Sequence, residues 1–552
     1  MKVKVLPEGL RLKVRWGTTI LEALQEADVR VEGECGGLGK CGMCKVRVLS
    51  KTGPLSKEEK ELLDEAEIEE GIRLACRNRV VRDLVIQLEE MDSDGLDHQI
   101  LAAGSRSVFQ LDPLIDERSI SLKQSPQERG LYGLTFDLGT TTLVGKLISL
   151  ADGREVAAAS RLNSQSKYGA DIISRIQHVK EQPAGLKDLN HLIIQDLNQI
   201  TEQLLETGKL EAGNICIGVA AGNTTMQHLF LGLDPTSIAH APFTPLTTDG
   251  LILKTADLGI TLHPEALVYV MPARSGYVGG DLISMILASG CAEQDDKIAL
   301  GLDLGTNGEI FLGNRKRLMT CSAAAGPALE GARISHGMIA KEGAIESVYV
   351  EGDNLRYQVI GNVEPKGICG SGLVDLVAVL LDRSIIDQGG LLQPPQGGSE
   401  DTLTRVIQRD EGVYDFLVAT PEESFSQKRI YLSQKDVREL QLAKGAVAAG
   451  IQILMDEMSF GIRDIDVVYL AGAFGNYIHP QSALRIGLIP KVDPKIIYTI
   501  GNAASTGASM VLLAKGYWKM ANDLARSIEH VELSTRPDFN EYFIENLNFP
   551  QE

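Results

Sequence analysis

The chain lacks any apolar run near the roughly 20 residues that span a bilayer, and its longest stretches are short, as at Leu376 to Leu381. It also lacks a basic excess. Against 74 Asp+Glu stand 54 Lys+Arg, a net charge of −20, which is the wrong sign for gripping a phosphate backbone through counterion release. No membrane and no nucleic-acid partner is therefore expected. The opening, MKVKVLPEGLRLKV, has no apolar signal-peptide core, so the expected location is the cytoplasm. What is present is a 552-residue chain, 44% hydrophobic and 23% charged with 56 Gly. That is the balance of a globular protein rich in tight turns, long enough for roughly two to four domains with large cores.

Eight cysteines are unevenly spread: Cys35, Cys41, Cys44 and Cys76 crowd the start, while Cys216, Cys291, Cys321 and Cys369 are scattered. In a reducing compartment a disulfide framework explains such a cluster poorly, whereas a soft-metal or iron–sulfur site explains it well, because thiolates are the preferred ligands there. The spacing C-x5-C-x2-C-x31-C puts three ligands on the glycine-rich loop GECGGLGKCGMCK and brings the fourth from a distant segment. Missing side chains let backbone N–H groups approach the sulfurs. Structural zinc, the main alternative, more often pairs two short C-x2-4-C knuckles.

The surroundings predict a small sheet on one helix. Lys2 to Leu6 and Leu10 to Arg15 alternate around Pro7-Glu8-Gly9 as a hairpin, and Thr19 to Ala27 has helical spacing. Val46 to Leu49 and Asp83 to Leu88 read as two further strands, with a short helix over Lys57 to Asp64 capped by Ser56 and Glu59. These residues, down to RLACRNRV around Cys76, resemble the [2Fe–2S] ferredoxin family with its beta-grasp fold, and the first gap is similar to that of the adrenodoxin branch. The resemblance covers about residues 1–90 and implies a [2Fe–2S] cluster on Cys35, Cys41, Cys44 and Cys76. Residues 1–92 carry 16 basic and 18 acidic side chains, so most of the acidity lies beyond them. Residues 91–130 mix Asp, Ser, Gly, Gln and Pro without periodicity and read as a linker, with a short element expected near Leu101 to Leu111.

From Leu131 onward the chain repeats itself: GLTFDLGTTTLVGKLISL is echoed by IALGLDLGTNGEIFLGN. In each copy an apolar strand runs into Asp137 or Asp303, turns on Gly139 or Gly305, and leaves as a second strand. Such a tip suits Mg-phosphate, because loop amides and hydroxyls hold phosphate oxygens while the carboxylate holds Mg²⁺ directly or through water. Two glycine-rich strand ends follow, CIGVAAGNTTMQHL and VVYLAGAFGNYIHP, and two small-residue stretches, GYVGGDLISMILASG and STGASMVLLAKG, read as helices able to pack closely.

In order, these pieces resemble the phosphate-1, connect-1, phosphate-2, adenosine and connect-2 segments of the actin, Hsp70 and sugar kinase (ASKHA) superfamily. The resemblance covers about residues 131–549 and implies a two-lobed α/β ATPase, with lobe one about 131–290, lobe two about 291–549, and an insertion within 338–429. It implies Asp137 and Asp303 for Mg²⁺ and water, and Thr140, Thr141, Thr142, Thr306 and Asn307 for phosphates. Asp281 would orient the attacking water or cap its helix. Gly472, Ala473, Phe474 and Gly475 would border adenosine. Gly370, Ser371 and Gly372 would contact phosphate at a helix start or simply cap that helix. His228, His336 and His479 have no ligand-type neighbour at suitable spacing and are expected in ordinary hydrogen bonds, with Cys321 and Cys369 as core thiols.

The whole is a multidomain α+β and α/β chain. Its ferredoxin and ATPase together, with AAAGPALEGARISHGM, KGICGSGLVD and AGAFGNYIHPQSALRIGLIP, resemble the reductive activators of corrinoid proteins. That family implies ATP-dependent reduction of a corrinoid Co(II) to Co(I) for methyl transfer, with a corrinoid protein, a reductant and a homodimer as partners. An activator of another low-potential metalloenzyme, a small-molecule kinase with an accessory ferredoxin and a redox-sensing module are the alternatives.

Overall fold

The computed structural model describes residues 1–6, 10–25, 27, 44–50, 53–63, 67–68, 70–87, 97–102, 105–113, 131–169, 171–305, 307–352, 354–394, 405–410, 412–472 and 477–551. They form two compact units, Met1–Leu96 and Asp97–Glu552.

In the first unit, strands β1 (Lys2–Leu6), β2 (Leu10–Lys13), β3 (Lys45–Val48), β4 (Ile72–Leu74) and β5 (Leu84–Gln87) pair in the order β2-β1-β5-β3-β4. Alternation sets the two faces. Val3 and Val5 point inward while Lys2 and Lys4 point to solvent, and the inner face buries Ile20, Leu21 and Leu24 of helix α1 (Ile20–Gln25). Helix α2 (Lys57–Leu62) begins with a capping box between Ser56 and Glu59, as its sequence predicts. The short strand β4 was not expected, because its three residues are too few to show a period.

The second unit opens with a hairpin, β6 (Asp97–Ala102) and β7 (Ser105–Gln110), inside the stretch that reads as linker. Just after it, the Asp112 main chain is bonded at both its N–H and C=O to Leu513 and Lys515. Two six-stranded sheets follow. One, in the order β10-β9-β8-β11-β13-β12, contains β8 (Tyr132–Leu138), β9 (Thr142–Ser149), β10 (Glu155–Leu162), β11 (Ile215–Gly222), β12 (Leu251–Lys254) and β13 (Leu267–Val270). The other, in the order β24-β23-β14-β15-β16-β25, contains β14 (Ala299–Leu304), β15 (Gly308–Gly313), β16 (Leu318–Ala323), β23 (Val467–Ala471), β24 (Ile497–Thr499) and β25 (Glu529–His530). Each begins as an antiparallel meander and continues by parallel pairing, β8 with β11 and β14 with β23. The sequence echo is thus a repeat of architecture.

Helices α3 (Ile172–Glu181), α4 (Gly185–Gly208) and α5 (Thr224–Leu231) belong to the first lobe, where α4 covers β9 and β10. Helix α6 (Gly280–Ser289) is the expected connect-1 helix. In the second lobe, β17 (Ala344–Glu351), β18 (Asn354–Val359) and β19 (Gly367–Ile368) form a small sheet under α7 (Gly370–Asp382). A second small sheet holds β20 (Val406–Asp410), β21 (Val413–Ala419) and β22 (Ile430–Ser433), from which α8 (Gln434–Met458) leaves to pack on β15 and β16. Five of these six strands fall within residues 338–429, and β22 follows directly after. The chain closes through α9 (Pro480–Ile486), α10 (Ala503–Leu513), α11 (Lys515–Ser527) and α12 (Pro537–Glu545). Among the described residues no helix is long and apolar enough to cross a membrane.

One assignment differs from expectation. Helix α10, which sequence order places in lobe two, packs on α6 and on β8 and β11 of the first sheet. Leu282, Ile286, Val511 and Leu512 share one core with Ala299 and Phe311 of the second sheet, so α6 and α10 form the seam between lobes. Their approach depends on Gly507: an added Cβ would meet the Ser284 carbonyl oxygen at 2.2 Å. Gly507→Ala is therefore expected to cost about 1–3 kcal/mol and to lower the thermal midpoint of nucleotide-free protein. An unchanged midpoint would show that the helices can separate freely.

Candidate functional site

The first unit brings together the two expected cluster ligands that lie among the described residues. Cys44 and Cys76 are 2% and 5% exposed, and their Sγ atoms stand 3.2 Å apart. Adjacent thiolate ligands of one tetrahedral metal ion, each bonded at ~2.3 Å, lie about 3.8 Å apart, so this pair fits two ligands of the same iron. Cys35 and Cys41 lie outside the described residues. The pairing is fixed by backbone, since the Ala75 N–H donates to the Cys44 carbonyl at 2.7 Å.

Behind Cys76 sits a polar network that sequence reading credited only with a helix cap. Glu59 is fully buried and accepts from Arg73 Nε at 2.8 Å and Nη2 at 2.9 Å, from the Leu74 N–H at 3.1 Å and from Asn78 Nδ2 at 2.6 Å. These partners flank Cys76 on both sides. Burial works against ionisation of Glu59, but the Arg73, Ser56 and Asn78 hydrogen bonds prevail and hold its carboxyl down at about 2. Its stabilising contribution is accordingly complete above about pH 4.5 and is lost as pH falls toward 2. Glu59→Gln leaves Arg73 buried without a counter-charge. It is expected to cost about 3 kcal/mol and to bleach the cluster's visible spectrum at a lower temperature than in the wild type; equal bleaching temperatures would remove Glu59 from the cluster's support.

In the second unit the two hairpins face a common cleft. Asp137 ends its β8 run and Asp303 ends its β14 run, as the repeat predicts. Asp281 lies in the first turn of α6, where Gly279 is the N-cap and Asp281 Oδ1 accepts the Leu282 N–H at 2.9 Å. The cap position is thus not Asp281's. Burial raises the Asp137 carboxyl to about 6. Burial and the charge of Asp303 raise Asp281 to about 7, while burial and the charges of Asp137 and Glu330 raise Asp303 to about 7.

Two further carboxylates were missed by the sequence reading. Glu309, 7% exposed, stands directly across from Asp303 in the β14–β15 register, and burial with Asp281 and Asp303 nearby holds it well above the ordinary range. Counting across the hairpin would have found it, because directly paired residues share a face. In the first hairpin the matching position opposite Asp137 is Val144, so the repeat is chemically asymmetric. Glu330 ends the short turn Pro327–Glu330, and its Oε2 accepts from Thr141 Oγ1 at 3.4 Å.

Three asparagines hold the first hairpin by using both ends of one amide. Asn502, the N-cap of α10, accepts the Ser505 N–H and donates to Asp137 Oδ2 at 2.7 Å. Asn223, the N-cap of α5, accepts the Met226 N–H and donates to Thr140 Oγ1 at 3.1 Å. Asn163 accepts the Gln165 N–H and donates to the Gly139 carbonyl at 2.9 Å. An aspartate or serine would cap equally well, but neither presents an amide's acceptor and donor on opposite sides.

The remaining expected residues divide. Thr142 opens β9 and is exposed; Gly305 and Asn307 form the tip of the second hairpin, where the Gly305 N–H donates to the Asn307 carbonyl. Gly472 follows β23 with φ +91°, and a Cβ there would meet Asp303 Oδ1 at 2.5 Å. It therefore borders the carboxylate cleft. Thr306, Ala473, Phe474 and Gly475 lie outside the described residues. Gly370, Ser371 and Gly372 start α7 and are buried, with the Ser371 hydroxyl given to the Glu346 carbonyl and Gly372 packed on the Ile345 carbonyl. His228 is buried between Thr224 and Leu246 as an ordinary hydrogen-bonded side chain, whereas His336 Nε2 is buried with no hydrogen-bond partner among the described residues. Cys321 and Cys369 are core thiols, with burial pushing both up.

Residues 3–81 match the 2Fe-2S iron-sulfur cluster binding domain, residues 132–294 the RACo middle region, and residues 297–552 the C-terminal domain of RACo, the ASKHA domain. A solved structure titled reductive activator for corrinoid, iron-sulfur protein superposes with a TM-score of 0.72 at 32% identity, covering 100% of this chain and 98% of that one. The chain belongs to the reductive activators of corrinoid proteins. Among relatives in this family, the corrinoid activation enzyme RamQ of Eubacterium limosum is 37% identical over 78% of this chain and 72% of its own length. The [Co(II) methylated amine-specific corrinoid protein] reductase of Methanosarcina barkeri is 25% identical over 76% of this chain and 77% of its own.

Membership in this family agrees with what the cleft can do. Among the described residues no three ligand-type side chains converge closely enough to hold a metal ion. Mg²⁺ characteristically keeps several waters and joins one or two carboxylates to substrate phosphates, and the donor set fits that mode. The carboxyls raised by burial make nucleotide-free protein less stable as pH climbs from about 4 through 7, because each must then ionise in the cleft. Glu309→Gln is expected to raise the nucleotide-free thermal midpoint by about 2–4 °C while lowering ATP hydrolysis at least ~100-fold. A variant that hydrolyses ATP normally would place Glu309 outside the reaction.

Proposed function

We propose that this protein uses ATP to drive an electron, delivered through its ferredoxin unit, onto the cobalt of a corrinoid protein, reducing Co(II) to Co(I) for methyl transfer. The observation that carries this reading is the joining, in one chain, of a buried thiol pair with a duplicated carboxylate cleft of ASKHA type, in a family of which a solved structure aligns over the full length. A simple kinase has no use for the thiols, and a simple ferredoxin has none for the cleft.

When bound, a [2Fe–2S] cluster supplies a one-electron carrier. Cys44 and Cys76 would hold one iron and Cys35 and Cys41 the other. Every ~59 mV of uphill one-electron potential costs about 1.4 kcal/mol, so reaching Co(I) needs several kcal/mol beyond a modest carrier. The cleft is the source of that energy. Asp137 and Asp303 would hold a bound Mg²⁺ directly or through its waters, and Asp281, set at the helix start and not its N-cap, would orient the attacking water. Thr140, Thr141, Thr142, Thr306 and Asn307 would contact the phosphates, and Gly472, Ala473, Phe474 and Gly475 would border the nucleoside. Gly370 to Gly372 are assigned to packing on β17.

Closing the lobes moves the seam helices α6 and α10, which carry Asp281 and the Asp137 partner Asn502. Shifting a two-state complex from about 1:99 to 99:1 requires binding that differs by about 5.5 kcal/mol between states, within the range of a nucleotide whose accompanying Mg²⁺ would offset the charge of several buried carboxylates. The acceptor's cobalt is held in its reducible state by the closed form, and hydrolysis releases it. The test is the Co(I) yield, read by anaerobic visible spectroscopy, when the iron-loaded chain, a corrinoid protein and a strong reductant are mixed with ATP, ADP or no nucleotide. At least tenfold more Co(I) with ATP is expected; equal yields would refute the coupling.

A further inference from the structure

The ferredoxin unit carries a charge pattern that its own stability does not explain. On the outer face of β1 and β2 stand Lys2, Lys4, Arg11, Lys13 and Arg15, all exposed. The register places like charge against like charge, Lys2 opposite Lys13 and Lys4 opposite Arg11. Directly opposed like charges on an antiparallel pair are destabilising. None of the five has a salt-bridge partner among the described residues; the nearby carboxylate of Asp83 accepts the Lys2 main-chain N–H instead. In the turn just past β2 Trp16 is 71% exposed, beside exposed Val81, Arg79 and Arg82. Arg79 is fixed there by donation to the Gly17 carbonyl at 2.8 Å.

The basic face is set against an acidic chain. Residues 1–92 have a net charge of −2, leaving −18 for the remainder. An acidic partner is therefore repelled by most of this molecule and drawn to this stripe. The corrinoid acceptor has to engage the ATPase lobes as well, since their nucleotide state governs its reduction, whereas a reductant needs the ferredoxin unit alone. The residues just past the stripe also join the Cys76 segment through the main chain: the Gly17 N–H donates to the Val80 carbonyl, and the Ile20 N–H to that of Asn78, two residues beyond Cys76.

We propose that the outer face of β1 and β2, with Trp16 at its end, is the docking surface for an acidic one-electron carrier protein that reduces the cluster. One electron leaves the reduced carrier and arrives on the cluster, and no bond is made or broken. The like-charge pairs are tolerated because the carrier's carboxylates relieve them on docking, and Trp16 supplies the apolar anchor at the rim.

The inference rests on the cluster reading of this unit. It is tested by stopped-flow reduction of the full, iron-loaded chain with a reduced acidic plant-type ferredoxin, and separately with methyl viologen radical as a small cationic reductant. The charge reversal Lys4→Glu with Lys13→Glu turns both repulsive pairs into attractive ones, so the thermal midpoint is expected to hold or rise. The second-order rate with the acidic ferredoxin is expected to fall at least tenfold at low salt, the difference closing at high salt, with no loss of rate toward methyl viologen. Trp16→Ala is expected to slow the ferredoxin reaction severalfold at every ionic strength. Co(I) formation from pre-reduced variant should match wild type. A wild-type rate independent of ionic strength, or reversal variants reduced as fast as wild type, would overturn the proposal. So would slowing confined to electron delivery onto the corrinoid protein. A chain that shows no cluster spectrum after iron loading would instead remove the cluster reading itself.

Discussion

The structure turns on carboxylates forced together in a buried cleft. Asp137, Asp281, Asp303 and Glu309 are each made a weaker acid by burial, and Asp281, Asp303 and Glu309 also by the carboxylates around them. Such an arrangement is costly when empty and favourable when a hydrated divalent cation and phosphates fill it. Asp137 and Asp303 ride on strand ends, Asp281 on a helix start, and Glu309 on the return strand of a hairpin, so filling the cleft is felt by both sheets at once.

That feeling has a physical route. The α6–α10 seam is packed at the closeness only Gly507 permits, and it carries Asp281 at one helix start and Asn502 at the other. Because packed interfaces switch between arrangements instead of deforming smoothly, the proposed closure would turn a change of charge in the cleft into a change of lobe angle. The ferredoxin unit obeys a complementary logic. Its Glu59 network is fully satisfied and holds the Cys76 loop still, which suits a site whose task is to exchange electrons without rearranging.

Much of this was legible in the sequence because the relevant signals are local. The cysteine spacing, the Ser56–Glu59 capping box, the Asp-Leu-Gly-Thr repeat and the long amphipathic helices all declare themselves within a few residues. What stayed hidden depends on pairing between distant segments. Glu309 matters only once the hairpin register sets it opposite Asp303, and Glu330 only once its turn reaches Thr141. Asn502, Asn223 and Asn163 look like ordinary caps until the first hairpin is laid against their amides. Order along the chain puts helix α10 in lobe two and does not record that it also crosses back to pack on β8 and β11. The β6–β7 hairpin was anticipated only as a short element near Leu101 to Leu111 within a linker, because so short a two-stranded element leaves little hydrophobic period.

The account stands or falls on whether nucleotide in the cleft changes how hard the cobalt is to reduce. The direct measurement is a potential-clamped titration of the corrinoid protein's Co(II)/Co(I) couple in complex with this chain, with and without Mg-ATP. A midpoint displaced upward by about 100 mV or more, equivalent to at least ~2 kcal/mol, is what the carboxylate cleft requires. Superimposable curves would contradict it.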